Sequence, residues 1–138
     1  MSDTYEGLPQ EGVGKRRTEL DGLDAATHGG LPVAGTTLVM GAPGAGKTVL
    51  GLQILAHAAA RGETGVLASF EEPPAQLRTN ATAFIWGERI ADSGRVAVVD
   101  ARPRRDAEAS GRFDLAGLMA ILDAQADRLG ASWVVLDG

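Results

Sequence analysis

A glycine-rich segment, GAPGAGKT at residues 41–48, constrains this chain more than any other feature of its sequence. It follows a short apolar run, TTLVM at 36–40, and it precedes the apolar stretch VLGLQILAHAAA at 49–60, in which leucine and alanine recur at helical spacing. The pattern predicts a strand, a loop and a helix in that order. Glycines let the backbone N–H groups of such a loop turn toward an anion, and the helix N-terminus adds a partial positive charge.

The loop also matches the pattern G-x-x-x-x-G-K-[ST], through Gly41, Gly46, Lys47 and Thr48. In this context Lys47 is expected to reach the β- and γ-phosphates of ATP, and the Thr48 hydroxyl is expected to ligate Mg²⁺. The alternative, a glycine-rich turn that only connects a strand to a helix, leaves Lys47 and Thr48 unexplained. The predicted cofactor-binding residues are Gly41, Ala42, Pro43, Gly44, Ala45, Gly46, Lys47, Thr48 and Val49.

Beyond the loop, apolar runs alternate with helical patterns. Further strands are predicted at 65–70, 96–99 and 133–136. One helix is predicted to begin at Pro74, with a helical pattern that continues through Ile85, and another to begin just after Asp114. Because the runs are apolar throughout, they are typical of a parallel sheet covered by helices on both faces. The predicted fold class is α/β.

Acidic side chains follow two of the predicted strands. Asp137 ends the last apolar run and is the candidate magnesium partner, although Asp-Gly is also a common way for a strand to end in a turn. Glu71 and Glu72 directly follow the run at 65–70, and we expect them at the sheet edge where such folds bind ligands. One of them could orient or deprotonate an attacking water; two solvated acids before a Pro-Pro turn are the alternative.

Composition limits the remaining possibilities. The net charge of −5 and a pI near 4.9 argue against a surface built to bind DNA. The 49–60 stretch is shorter than the roughly 20 residues that span a bilayer. The N-terminus lacks the apolar core of a secretory signal, so a cytoplasmic location is expected.

Two polar segments are predicted to lack regular structure. Residues 1–17 are predicted to be a flexible tail. The arginines at 102, 104 and 105 are predicted to lie in a solvated loop, and a contact with a phosphate or a partner stays open for them.

Several spaced motifs together resemble the KaiC-like family of the RecA superfamily of P-loop ATPases. They are ELDGLDAATHGGLP, GAPGAGKT, SFEEPPAQLRTNA, VVDARP, FDLAGL and VVLD, and they run in order from about residue 18 to 137. The resemblance implies a RecA-like ATPase domain that binds ATP and Mg²⁺ and assembles into hexameric rings. It also implies catalytic roles for Glu71 and Glu72 beside Lys47, serine/threonine autokinase activity in the full-length form, and clock or signalling proteins as partners.

The sequence also departs from this family. Further strands are expected after the acid-ended (Walker B) strand, including one that flanks the P-loop strand, but the sequence stops at Gly138. Residues 18–138 are therefore expected to be the N-terminal portion of such a domain, truncated after the Walker B strand. Two alternatives stay open: a RecA- or RadA-type DNA recombination ATPase, and a nucleotide-sensing oligomerisation module with little turnover.

Overall fold

The computed structural model describes residues 14–104 and 114–138. The chain divides into two compact units, Met1–Val39 and Met40–Gly138. Most of the predicted tail, residues 1–13, lies outside the described residues. Lys15–Arg16 instead form a short strand, so regular structure begins before the predicted boundary at residue 18.

The first unit is a small antiparallel pair with one helix. Strand β1 (Lys15–Arg16) pairs with β2 (Leu31–Pro32), and α1 (Asp21–Ala26) lies between them in sequence. The turn into β2 requires glycine at position 30: its φ is +119°, and a Cβ there would lie 2.1 Å from the Arg16 carbonyl oxygen.

A buried aspartate organises this unit. The Asp24 carboxylate accepts hydrogen bonds from the Thr18 amide (2.9 Å), the Thr18 hydroxyl (2.6 Å) and the Glu19 amide (3.1 Å). Burial raises the pKa of Asp24, but these hydrogen bonds and the nearby Arg17 guanidinium outweigh that effect, and the pKa lies below its usual value. Asp24 is therefore held as a carboxylate.

The second unit contains a three-stranded parallel sheet. Its strands are β3 (Gly65–Ser69), β4 (Val96–Asp100) and β5 (Trp133–Asp137), in the order β4-β3-β5. The register places Ser69 opposite both Asp100 and Asp137, so three polar residues meet at the carboxyl edge of the sheet. The prediction of a parallel α/β sheet is confirmed.

Helices cover both faces of this sheet. On one face lie α2 (Lys47–Ala60), α3 (Pro74–Ala81) and α4 (Glu88–Ala91); on the other lies α5 (Leu115–Leu129). Buried leucines and alanines form the core on the first face, and smaller side chains with Leu122 form it on the second. The predicted cap of α5 is present, since the Asp114 carboxylate accepts a hydrogen bond from the Gly117 amide at 2.9 Å.

The prediction of a strand at residues 36–40 is wrong. Residues 36–40 (TTLVM) belong to neither sheet of the described residues, and the side chains of Leu38 and Met40 are 79% and 82% exposed. Strand preference reflects packing against neighbouring strands as much as residue type. An apolar, β-branched run is therefore not enough to form a strand.

The helix predicted to run from Pro74 through Ile85 is shorter than expected. It ends at Ala81, and a tight turn follows in which a Cβ at Gly87 would lie 1.9 Å from the Ala81 carbonyl oxygen. Ile85 is fully exposed, whereas Trp86 is buried and stacks on Phe84 with ring centroids 4.7 Å apart. Among the helices described, none has the length and apolar composition needed to cross a bilayer.

Candidate nucleotide-binding site

The glycine loop, residues 41–48, runs along the surface into the first turn of α2. Gly44 and Gly46 have φ angles of +81° and +96°, in the left-handed region that glycine adopts without steric cost. A Cβ built on either residue would meet no described atom within 4 Å, so the backbone conformation, not crowding, requires glycine there. These two glycines turn the loop ahead of the helix, as the motif predicts.

Lys47 is the first residue of α2, and its side chain folds back over the loop. Its Nζ donates hydrogen bonds to the carbonyl oxygens of Gly41 (2.7 Å) and Ala42 (3.3 Å). The Lys47 ammonium group is thereby held beside the exposed backbone of the loop. This is the location from which an ammonium group can contact phosphate oxygens.

Thr48, in the first turn of α2, contacts Asp137 at the end of β5, although the two are 89 residues apart in sequence. The Thr48 hydroxyl lies 3.0 Å and 3.1 Å from the two carboxylate oxygens of Asp137. This contact depends on the close packing of α2 against β5, because a Cβ at Gly51 would come within 3.0 Å of Val135 Cγ1. Glycine at position 51 therefore allows α2 to lie close to β5, where Thr48 contacts Asp137.

The chemistry of this pair suits Mg²⁺. The ion prefers oxygen ligands and is commonly held by one or two carboxylates together with substrate phosphates. A threonine hydroxyl and a carboxylate that already lie within hydrogen-bonding distance fit that requirement. Among residues 14–104 and 114–138, no group of three or more carboxylates, histidines or cysteines forms another candidate metal site.

Glu71 and Glu72 follow β3 at the same sheet edge. The Phe70 amide donates to the Asp137 carbonyl oxygen at 2.9 Å, so the chain leaves β3 directly beside the end of β5. Glu71 is exposed, whereas Glu72 is half-buried and accepts a hydrogen bond from the Asn80 side-chain amide at 3.1 Å. The sequence predicted both glutamates at this edge, but nothing in its pattern indicated the contact from Asn80.

An ion pair lies at the carboxyl end of β4. Arg102 donates two hydrogen bonds to the Asp100 carboxylate, at 2.9 Å and 2.7 Å. Hydrogen bonding from Arg102 lowers the pKa of Asp100, and the same contact raises the pKa of Arg102. Of the three arginines predicted to lie in this loop, Arg102 is thus engaged by Asp100, and Arg105 lies outside the described residues.

Comparison with known proteins identifies the family. The KaiC ATPase family profile matches residues 16–138, nearly the whole chain. The chain belongs to the KaiC ATPase family. Its RecA-like P-loop fold accounts for the parallel sheet and for a glycine loop at the start of α2.

Curated KaiC proteins are similar along the same span. The chain is 39% identical to the circadian clock oscillator protein KaiC of Rippkaea orientalis, over 92% of this chain and 25% of that protein. It is 37% identical to KaiC 1 of Synechocystis, over 94% of this chain and 26% of that protein. It is 35% identical to KaiC of Synechococcus elongatus, over 99% and 27% respectively. The chain spans about a quarter of the length of the KaiC proteins it matches.

Proposed function

We propose that this protein binds ATP with Mg²⁺ at residues 41–49 and hydrolyses it at the carboxyl edge of the sheet. The observation that carries the proposal is the contact of Thr48 with Asp137 beside the glycine loop. Two oxygen side chains that are distant in sequence are brought together where the motif would place a nucleotide-bound cation.

The binding roles follow from the positions of the side chains. The backbone N–H groups of the loop, which all of residues 41–46 carry except Pro43, would surround the phosphates together with the N-terminus of α2. Lys47 would exchange its carbonyl partners for phosphate oxygens, and Thr48 and Asp137 would hold Mg²⁺. When bound, Mg²⁺ neutralises charge on the phosphates.

Glu71 and Glu72 supply the group that orients or deprotonates the attacking water. Asp137 is occupied with Thr48, and the next residue is Gly138, which has no side chain to act as a base. The glutamates lie at the adjacent strand end, connected to β5 through the Phe70 amide. We therefore assign turnover to this pair, and binding to the loop.

Wider roles are proposed for the full-length protein on the basis of family membership. They comprise assembly into a homo-hexameric ring, serine/threonine autophosphorylation, a cytoplasmic location, and a regulatory role with clock or signalling partners. The named relatives are circadian clock proteins. Transfer of labelled γ-phosphate from ATP to serine or threonine of the protein tests the kinase activity separately from phosphate release.

The hydrolysis proposal is tested by steady-state phosphate release from ATP, with and without Mg²⁺. Lys47→Ala should abolish most activity, because it removes the cation beside the loop. Lys15→Ala is the matched control: it removes the other lysine of the sequence, which bonds to the Thr27 carbonyl in the first unit, and should leave hydrolysis unchanged. Equal activity of wild type and Lys47→Ala would contradict the assignment.

A further inference from the structure

Two contacts at the end of β3 make Glu71 and Glu72 unlike each other. The buried Ser69 hydroxyl donates to the Glu72 carbonyl oxygen at 2.7 Å and accepts from the Glu72 amide at 3.2 Å. One hydroxyl thus fixes the backbone of Glu72 in both hydrogen-bonding directions. No described residue makes a hydrogen bond to the Glu71 side chain.

The Glu72 side chain also has a hydrogen-bond partner, on helix α3. Asn80 donates its side-chain N–H to Glu72 Oε2 at 3.1 Å, and its side-chain carbonyl accepts from Gln76 Nε2 at 2.7 Å. Gln76 and Asn80 are four residues apart and so lie on the same face of the helix. Because Gln76 engages the amide oxygen, the amide N–H of Asn80 is the group left to meet the carboxylate.

The helix that presents Asn80 is itself firmly placed. It begins after Pro73, whose ring restricts the backbone, and its Leu77 and Ala81 are buried in the core under the sheet. Arg78 of the same helix donates to the Ile90 carbonyl oxygen at 2.7 Å. Core packing therefore holds Asn80 in a constant position relative to the end of β3.

From these contacts we propose that Asn80, oriented by Gln76, is a positioning residue that holds the Glu72 carboxylate in one orientation during ATP turnover. The inference rests on the proposed hydrolytic role of Glu71 and Glu72, and it adds a residue outside that pair. A carboxylate that an amide already holds loses less conformational entropy when it reaches the reactive orientation. The contact should therefore raise kcat for hydrolysis. Within residues 14–104 and 114–138, the Asn80 side chain bonds to Glu72 and Gln76 and not to the glycine loop, so ATP affinity should not depend on it.

The test measures kcat and KM for ATP hydrolysis by the full-length protein. Asn80→Ala should lower kcat by about 2- to 10-fold, the fold-change that corresponds to the net free energy of one typical hydrogen bond, with KM little changed. Asn80→Asp should lower kcat at least as much, because it removes the donor and adds a like charge beside Glu72. Gln76→Ala should act in the same direction, but more weakly.

Thr79→Ala is the matched control on the same helix. The Thr79 hydroxyl donates to the Ala75 carbonyl oxygen one turn earlier, and among the described residues it bonds to no group at the site. This variant should keep the wild-type kcat. If it lowers kcat as Asn80→Ala does, the effect comes from helix stability and the proposal is overturned.

A double-mutant cycle shows whether Asn80 acts through Glu72. Asn80→Ala should have no further effect on kcat in a Glu72→Ala background, where the acceptor is gone. A full additional loss there, or an unchanged kcat in the single Asn80 variants, would overturn the proposal while leaving the hydrolytic role of Glu72 intact. A normal kcat for Glu72→Ala alone would instead overturn the role of Glu72 in turnover, and this inference with it.

Discussion

The phosphate side of the sheet edge (residues 41–48 with Asp137) and the acid side (residues 69–72 with Asn80) are built from different kinds of contact. On the phosphate side, the decisive contact joins Thr48 to Asp137 across 89 positions of sequence. On the acid side, every contact that fixes Glu72 comes from residues within eight positions of it. One side depends on the packing of a helix on a strand, and the other on a local turn and one helix face.

This difference indicates a separation of tasks. Changes on the phosphate side should alter the affinity for ATP and Mg²⁺, whereas changes on the acid side should alter turnover with affinity preserved. Four substitutions test that separation.

The largest effect is expected on the acid side. The catalytic base is assigned to the pair Glu71 and Glu72, and Glu71→Gln and Glu72→Gln replace each in turn. Loss of the base should lower kcat by roughly 10²- to 10⁴-fold, the usual contribution of general acid–base catalysis. The affinity for ATP, measured by equilibrium binding, should stay the same. If a variant instead loses affinity and keeps its kcat, the two sides are not separate.

On the phosphate side, Asp137→Asn should weaken Mg²⁺ binding by about 10- to 100-fold, the range seen when groups around a bound metal are changed. The measurement is the Mg²⁺ concentration that gives half-maximal hydrolysis. Asp100→Asn is the matched control, because Asp100 occupies the same register on the other neighbour of β3 and pairs with Arg102 instead. Equal shifts in the two variants would show that general charge, not the contact with Thr48, controls Mg²⁺ affinity.

A smaller effect is expected from Gly51→Ala. The added Cβ would lie about 3.0 Å from Val135 Cγ1, so α2 or Val135 must shift by a few tenths of an ångström. Alanine also favours the helix by about 1 kcal/mol over glycine, which offsets the crowding in stability. We expect the Mg²⁺ concentration for half-maximal hydrolysis to rise several-fold, with little change in melting temperature. Restoration of that response by Val135→Ala would confirm that the packing of α2 on β5 sets the site, and an unaltered Mg²⁺ response in Gly51→Ala would contradict it.

The smallest effect on activity is expected outside both sides, at Asp24 of the first unit. Asp24→Asn should leave kcat and KM unchanged, yet lower the free energy of unfolding at pH 7 by about 1–3 kcal/mol, because an amide cannot accept all three hydrogen bonds. The folded-state pKa of Asp24 is lowered, so its stabilisation is present above the ordinary value of 3.8 and is lost as pH falls through the folded-state pKa.

Chemical denaturation at pH 7 and at successively lower pH checks this prediction. The difference between wild type and Asp24→Asn should shrink as the pH falls below the ordinary carboxyl range. The exposed Asp21→Asn is the control, and it should show no such convergence. A difference that is constant with pH would mean that the ionisation of Asp24 does not stabilise the fold.

The sequence predicted the loop, the helix after it and the parallel strands, because each depends on a local pattern of glycines or apolar residues. It did not predict that residues 36–40 stay unpaired, since the same pattern serves a paired strand and an exposed segment. It also predicted that Glu71 and Glu72 follow β3 at the carboxyl edge of the sheet, but it did not distinguish them. The contacts from Ser69 and Asn80 depend on the turn after β3 and on the position of α3, which side-chain spacing alone does not reveal.

The most direct test of the account is calorimetric titration of the protein with ATP in the presence of Mg²⁺, comparing wild type, Lys47→Ala and Glu72→Gln. We predict that wild type and Glu72→Gln bind with the same affinity, and that Lys47→Ala loses most of it. Wild-type ATP affinity in Lys47→Ala, or a loss of affinity in Glu72→Gln equal to that in Lys47→Ala, would contradict the assignment of binding to the loop and of turnover to the glutamates.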